Sequence, residues 1–133
     1  MSSRPLRPRI IVAANEHQKL FELAAGASHA AAESLLTEME RARVVPEGKL
    51  PSDVVRMGSR VHYRTDRDTS VEVTLVYPRD ADISGGRVSV LTPIGAALIG
   101  LRAGQSITWE ARDGRHHVLT VLSVSQPAER LEA

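Results

Sequence analysis

The chain has 133 residues, enough for one domain with a short appendage but too few for two full cores. Hydrophobic residues make up 42% and charged residues 25% of the sequence, which is typical of a globular protein and excludes disorder as the main state. No cysteine is present, so disulfides, thiolate nucleophiles and Cys-based zinc sites are excluded. Apolar runs are too short for a membrane span or a signal peptide, and we expect a cytoplasmic protein without a membrane association.

The net charge is only +1, and three of the 17 basic residues lie among the first nine, as Arg4, Arg7 and Arg9. The remainder of the chain is therefore slightly acidic. Proteins that grip nucleic acid usually cluster Lys and Arg and offer aromatic stacking surfaces, and aromatic residues are only 3% of this sequence. These features disfavour direct, sequence-specific nucleic-acid binding. Residues 1–9 are interpreted as a flexible basic tail, and residues 127–133 as a second tail.

Residues 10–45 predict a short antiparallel helical hairpin. The apolar run 10–14 leads to Asn15, an N-cap candidate with Gln18 in the reciprocal capping position. Gly26 is placed to end the first helix, and Ser28 is the N-cap candidate of the second. The second helix has an apolar stripe of Ala31, Leu35, Met39 and Ala42, and an opposite polar face of Glu33, Glu38, Glu40, Arg41 and Arg43.

The apolar surface of this hairpin is too small to stabilise it alone. Burying its four largest stripe residues contributes at most about 6 to 12 kcal/mol, whereas ordering its backbone costs about 28 to 56 kcal/mol. We therefore expect the hairpin to depend on docking, either by packing weakly on the rest of the chain or by forming a weak homodimer. Phe21 and Leu36 lie beside the stripes and are the candidate contacts.

The sequence of residues 46–53 predicts a linker, because Pro46, Gly48 and Pro51 disfavour regular secondary structure there. Beyond it, alternating β-branched and polar residues predict strands over 60–64, 71–77, 87–91, 107–111 and 117–124. Asp113-Gly114 predicts a tight turn between the last two strands, and Gly85-Gly86 a hairpin turn. Pro93 and Gly100 bound one short helix. The predicted fold class is α+β, a helical hairpin followed by a mostly antiparallel sheet domain over residues 54–126 with one short helix.

Candidate catalytic and metal sites are few. His116 and His117 are neighbours in a predicted strand and point to opposite faces, so we interpret them as surface and edge residues; a metal site joining His62 to one of them is the alternative. The acidic clusters 66–68 and 80–82 lie where turns are expected, and we assign them turn roles rather than cation binding. No nucleophile motif or phosphate loop is present. We predict a protein that is not an enzyme and uses no cofactor or metal.

The most informative stretch for binding is Leu91-Thr92-Pro93-Ile94-Gly95. An apolar turn with a rigid proline at the start of a helix fits two roles, ordinary core packing or a small anchor for a partner. The residue types alone do not separate the two.

Residues 53–124 resemble the C-terminal domain of the Gre transcript-cleavage factors, and most closely the Rnk proteins, called regulators of nucleoside diphosphate kinase. The resemblance runs through VVRMGSRV (54–61), TLVYP (74–78) and VSVLTPIGAALIGLRAG (88–104), and SITWE (106–110) extends it in the Rnk manner. It implies an FKBP-like fold, a sheet wrapped on a short helix. Gln105 departs from the family, which often has Asp after this glycine.

The resemblance implies a function at RNA polymerase. In Gre factors a long N-terminal coiled coil enters the secondary channel, and acidic residues at its tip help to hold the magnesium that drives transcript cleavage. Here the arm is short and its presumed tip, residues 25–29, holds no carboxylate. The resemblance therefore implies docking near the channel and competition with Gre factors without stimulated cleavage.

In Gre factors the turn that matches Leu91, Thr92, Pro93, Ile94 and Gly95 meets the polymerase, and we expect Ile94 to be its apolar anchor. Direct regulation of nucleoside diphosphate kinase is the alternative function. A prolyl isomerase of the FKBP type is a further alternative, but its aromatic-lined pocket is hard to build from the few aromatic residues of this chain.

Overall fold

The computed structural model describes residues 6–127. Its helices and strands follow the order β1 (Ile11–Ala13), α1 (Ala14–Ala25), α2 (Ala30–Arg41), β2 (Arg43–Val45), β3 (Arg60–Thr65), β4 (Ser70–Val76), β5 (Arg87–Ser89), α3 (Pro93–Leu98), β6 (Ser106–Glu110) and β7 (His116–Ser125). This confirms the predicted fold class, a helical hairpin followed by a mostly antiparallel sheet with one short helix. No helix within residues 6–127 is long and apolar enough to cross a membrane.

The main sheet has the strand order β5-β4-β3-β7-β6. Adjacent strands of this sheet are antiparallel, except that β4 and β5 run parallel. A tight turn is present at Gly85-Gly86, where Asp82 and Arg87 form an antiparallel bridge with two reciprocal backbone hydrogen bonds of 2.9 Å. It does not join two antiparallel strands of the main sheet, because β4 and β5 are parallel and need a crossover. Within it, residues 83–85 form a short 3-10 turn capped by the Asp82 carboxylate, which accepts a hydrogen bond from Gly85 N. Gly86 follows in the left-handed conformation, with φ 73°.

A second, two-stranded sheet joins the ends of the helical hairpin. β1 and β2 pair in parallel, with Ile11 opposite Arg43 and Ala13 opposite Val45. The sequence pattern showed residues 10–14 only as an apolar run before a helix. Because β1 directly precedes α1 and β2 directly follows α2, this pairing ties the two ends of the hairpin together.

Two of the predicted helix caps are wrong. α1 begins at Ala14, two residues earlier than an N-cap at Asn15 requires; its N-cap residue is Ala13, and no side chain caps it. The cap of α2 is His29 rather than Ser28, since the His29 Nδ1 accepts a hydrogen bond from Ala32 N at 3.4 Å. Gly26 is confirmed as the end of α1, and its N–H bonds to the Glu22 carbonyl.

The helical hairpin and the main sheet share one hydrophobic core. Leu20 of α1 and Leu35 of α2 are fully buried in the same cluster as Leu75, Leu98 and Leu119. The hairpin is thus docked on the sheet, and this packing is close rather than weak; the dependence of the hairpin on docking stays a prediction. Leu36 packs against this core as predicted, whereas the Phe21 side chain is 39% exposed.

Glu38 was predicted on the polar face of α2, but it is buried. Its carboxylate accepts hydrogen bonds from Arg41 Nη2 at 2.6 Å and from Arg7 Nη2 at 3.1 Å. The sequence pattern missed this burial because Arg7 is distant in sequence. Buried carboxylates are tolerated when cations neutralise them.

Most of the predicted basic tail, residues 1–5, and residues 128–133 of the second tail lie outside the described residues. Residues 6–9 contact the folded domain. Leu6 N donates to Thr108 Oγ1 at 2.8 Å, and Thr108 N donates to the Leu6 carbonyl at 2.9 Å. Arg41 also bonds the carbonyl of Pro8 at 2.7 Å. These contacts assign residues 6–9 to the domain rather than to a free tail.

A second ionic network joins the hairpin to the main sheet. Glu16 of α1 is buried and accepts bonds from Arg56 Nη2 at 2.6 Å and from Met57 N at 3.2 Å. Arg56 Nη2 also donates to Glu47 at 2.6 Å. Burial lowers the pKa of Arg56, but the hydrogen bonds and charges of Glu16 and Glu47 outweigh it, so the pKa is raised. Glu16, Glu47 and Arg56 are called the arginine clamp below.

The shared core gives a direct prediction for the isolated hairpin. A fragment ending at Arg43 should lose most of its helicity, because Leu20 and Leu35 lose their partners on the sheet and short helices are marginal in water. Circular dichroism of this fragment, compared with the intact chain, measures the loss. A fragment with the helical signal of two full helices would contradict the prediction.

Candidate functional site

The turn before α3 is rigid because its hydrogen bonds converge on Ser89 and Thr92. Thr92 Oγ1 donates to the Ser89 carbonyl at 2.7 Å and accepts from Gly95 N at 3.1 Å, which caps the helix. Leu91 N bonds Ser89 Oγ at 3.0 Å. Pro93 fixes the first helical position. The turn therefore presents a fixed surface to any partner.

The five predicted site residues differ in exposure. Leu91, Thr92, Pro93 and Ile94 are half-buried, and Gly95 is buried. The side chains of Leu91 and Ile94 both pack against the core, so part of the expected anchor role of Ile94 is structural. Core packing and partner binding are therefore compatible roles for this stretch, because the same apolar turn packs against the core and keeps part of its surface exposed.

Two neighbouring clefts lie between α2, the Leu91–Pro93 turn and the β6–β7 hairpin. The smaller has a volume of about 290 Å³ and the larger about 810 Å³. Pro93 lines both clefts and Leu91 lines the larger one, whereas Thr92, Ile94 and Gly95 line neither. The surface shared by the two clefts is called the α2 groove below; it is lined by Ser34, Thr37, Pro93 and Glu110.

Sequence reasoning missed the contribution of α2 to this surface. Ser34 and Thr37 are exposed and read as ordinary polar positions of a surface helix. Only the docking of α2 beside α3 brings them next to Pro93. Trp109, which lines the smaller cleft, was the one available signal, since it is the sole tryptophan of the chain.

The charges around the groove are mixed. Glu38 in the smaller cleft is neutralised by Arg7 and Arg41. Glu110 is exposed and lies 3.9 Å from His116 Nε2. Glu33 and Arg112 line the larger cleft and are exposed. The groove therefore has no strong field of one sign.

The histidines do not converge. His117 Nδ1 lies 3.4 Å from Asp66 Oδ2, and its ring centroid is 5.3 Å from that of Trp109. His62 stands opposite Glu72 and Ser123 in the sheet register. Within the described part of the chain, no three metal-ligating side chains of the His, Cys, Asp and Glu type come together.

The acidic clusters form turns, as predicted. Asp68 adopts a left-handed conformation with φ 65° in the β3–β4 turn. Asp82 caps its turn, and the hydrogen bond from the Ser84 hydroxyl, followed by that from Gly85 N, lowers the pKa of the Asp82 carboxyl. These are the local roles that favour aspartate in turns.

Gln105 replaces the aspartate that the family often has after Gly104, and it closes the turn with its own side chain. Its Oε1 accepts a hydrogen bond from Arg102 N at 2.9 Å. Gly104 is left-handed, with φ 91°. The turn is therefore closed by the amide oxygen of Gln105.

Comparisons with known proteins show the family to which the chain is similar. The family model described as transcription elongation factor, GreA/GreB, C-terminal, matches residues 50–126. A protein of Escherichia coli (strain K12) named regulator of nucleoside diphosphate kinase is 40% identical over 127 residues, which cover 92% of this chain and 93% of that protein. A transcription elongation factor GreA of Rhizobium etli (strain CIAT 652) is 36% identical, over 81% of this chain and 76% of that protein.

A solved structure shows the same arrangement. The prokaryotic transcription elongation factor GreA/GreB from Nitrosomonas europaea superposes with a TM-score of 0.71 at 33% identity, covering 90% of this chain and 99% of that one. The match extends over the hairpin as well as the sheet. The chain belongs to the GreA/GreB transcription elongation factor family.

Proposed function

We propose that this chain regulates transcription by binding RNA polymerase near its secondary channel, where it competes with Gre factors without stimulating transcript cleavage. The observation that carries the proposal is the pairing of a GreA/GreB-type domain with a short hairpin whose tip, residues 26–29, holds no carboxylate. The domain supplies docking, and the hairpin lacks the means for the cleavage reaction.

The length of the hairpin supports the second half of the proposal. Each helix has 12 residues, which is about 18 Å of helix. The connection between them, residues 26–29, has the sequence GASH and offers no carboxylate oxygen for a divalent ion. The hairpin is also fixed at its base by the β1–β2 pair.

The docking surface in this proposal comprises Leu91, Thr92, Pro93, Ile94 and Gly95. Leu91 and Pro93 form its open part because they line the clefts, and the hydrogen bonds around Thr92 hold both in place. Ile94 supports the turn from below, and Gly95 allows α3 to approach Ser89. A small apolar anchor surrounded by weaker contacts is a common mode of protein recognition.

Blocking the α2 groove tests this surface without disturbing the core. Thr37→Arg places a long, charged side chain next to Pro93, and we expect polymerase affinity to fall at least tenfold, or about 1.4 kcal/mol. Thr37 is exposed, so the melting temperature should stay within a few degrees. Gln18→Arg, an exposed position of α1 outside both clefts, is the matched control. Equal binding by both variants would remove the groove from the interface.

Cleavage is tested on backtracked elongation complexes. We expect the native chain to yield no product above the polymerase-only control and to reduce the cleavage that added GreA stimulates. The reduction should follow occupancy, so Thr37→Arg should weaken it while Gln18→Arg should not. Stimulated cleavage by the native chain would contradict the argument from the missing carboxylates.

A second function is favoured by the name of one relative, regulator of nucleoside diphosphate kinase. In this alternative the chain binds the kinase directly. Titration of purified kinase with the native chain, read as a change in kinase activity and as complex formation by size-exclusion chromatography, separates direct contact from control through transcription.

A further inference from the structure

The N-terminal segment, residues 6–9, meets the outer edge of β6, the terminal strand of the main sheet, at Leu6 and continues onto α2. Leu6 uses both its N–H and its carbonyl with Thr108. Arg7 then extends its guanidinium to Oε2 of the buried Glu38 on α2, at 3.1 Å. The segment therefore bridges β6 and α2 across the rim of the smaller cleft, of which Arg7 is one wall.

Few contacts hold this segment to the surface. The Leu6 residue is 46% exposed and the Arg7 side chain 49%. An ion pair with one half-exposed partner contributes only about 1 kcal/mol or less. The first fully buried residue is Ile10, whose carbonyl accepts from Arg43 N. Release of residues 6–9 would break these polar contacts and the bond from Arg41 to the Pro8 carbonyl at 2.7 Å, but it would remove no fully buried side chain from the core.

The surface beneath the segment has the features of a peptide site. The outer edge of β6 presents the Thr108 N–H to an extended chain. The cleft beside it is walled by Pro93, Ala97, Ile107 and Trp109. The two carboxylate oxygens of Glu38 have different partners: Oε1 accepts hydrogen bonds from Arg41, and Oε2 accepts one from Arg7 alone. Removal of Arg7 would leave one buried carboxylate oxygen facing the cleft.

We propose that this cleft is a binding site for an extended, arginine-bearing segment of a protein partner, and that residues 6–9 are its displaceable internal occupant. The partner segment adds to the edge of β6 by main-chain hydrogen bonds, a mode used by many peptide-binding domains. Its arginine replaces that of Arg7 on Glu38. The chemistry of the occupant seen in the structure defines the chemistry of the ligand.

The internal occupant sets the selectivity of the site. A short tethered segment competes at an effective concentration in the millimolar range, so only a tighter segment displaces it. An external peptide of the same sequence should therefore bind poorly to the native chain. It should bind measurably once the internal segment is released.

The test uses the full chain and a peptide with the sequence of residues 2–9. Leu6→Pro/Arg7→Gly removes the Leu6 N–H donor and the Arg7 guanidinium and thereby releases the internal segment, and the indole signal of Trp109, the sole tryptophan, reports binding in the cleft. We expect this variant to bind the peptide at least tenfold more tightly than the native chain. A peptide with citrulline in place of the arginine at position 7 should lose at least fivefold, because citrulline keeps the shape but not the charge.

Two further variants complete the experiment. Glu38→Gln in the released chain should lose the preference for arginine over citrulline, whereas Glu40→Gln, at an exposed position of α2 outside both clefts, should keep it. Arg7→Gln, a milder release, provides the same comparison if the double variant folds poorly. Equal peptide affinity for native and released chains, or no binding to either, would overturn the proposal. So would a melting temperature of Arg7→Gln more than ten degrees below that of the native chain, because the segment would then be a structural element.

Discussion

Replacing Gly95 by alanine should destabilise the protein more than any other single methyl addition at its glycines. A Cβ built at Gly95 lies 2.1 Å from the Ser89 carbonyl oxygen and 2.8 Å from the Val90 Cα. Both are backbone atoms in the turn that Thr92 holds with two hydrogen bonds. Neither atom is free to move aside, so α3 must shift out of the core. We expect a loss of about 3 kcal/mol or more and a melting temperature lower by roughly 12 °C.

Gly48→Ala is the matched control, because no atom lies within 4 Å of a Cβ built there. Thermal and urea unfolding of the two variants give the comparison. Stability of Gly95→Ala within 1 kcal/mol of the native chain would mean that α3 is not seated against Ser89 as the structure shows. The same variant should also lose polymerase binding, since the turn with Pro93 moves together with the helix.

Breaking the arginine clamp should have the second-largest effect. Glu16→Ala removes the carboxylate that bonds both Arg56 and Met57 N, and it leaves the guanidinium with Glu47 alone. Removing one partner of a buried pair costs about 3 to 5 kcal/mol, and the partial exposure of Arg56, 22% of its side chain, reduces this to about 2 to 3 kcal/mol.

A double-mutant cycle isolates the pair. The double variant Glu16→Ala/Arg56→Ala should be destabilised by clearly less than the sum of the two single variants, since each single change already breaks the pair. Glu22→Ala, at an exposed position of the same helix, is the control and should change stability by less than about 0.5 kcal/mol. Additive losses in the cycle would show that the clamp does not couple the hairpin to the sheet.

Local patterns in the sequence account well for the antiparallel part of the fold. Alternation at Val61 and Tyr63 places two core residues correctly, and the turn at Asp113-Gly114 is present, with Gly114 left-handed. The β1–β2 pair was not predictable in the same way. Its strands are three residues long and 30 residues apart along the chain, so no local periodicity predicts them.

The parts of the site that the sequence missed share one cause. Glu38 has the pattern of a surface residue because its long-range partner Arg7 meets it only after the N-terminal segment crosses to α2, whereas Arg41 is a local partner on the same helix. Ser34 and Thr37 join the cleft for the same reason, through the docking of one helix on another. Residue types predict the turn at Pro93, whereas tertiary packing determines that Ser34 and Thr37 of α2 lie across the cleft from it.

The parallel pairing of β1 and β2 separates the length of the hairpin from the stability of the domain. α1 starts and α2 ends at this pair, which also bonds to the sheet domain through Ile11 N and the Gly100 carbonyl at 3.1 Å. The connection at residues 26–29 is the opposite end and lies largely exposed. Insertions there extend the arm by about 1.5 Å per residue in each helix and leave the base unchanged. Evolution or protein engineering is thus free to tune the reach of the arm at its tip.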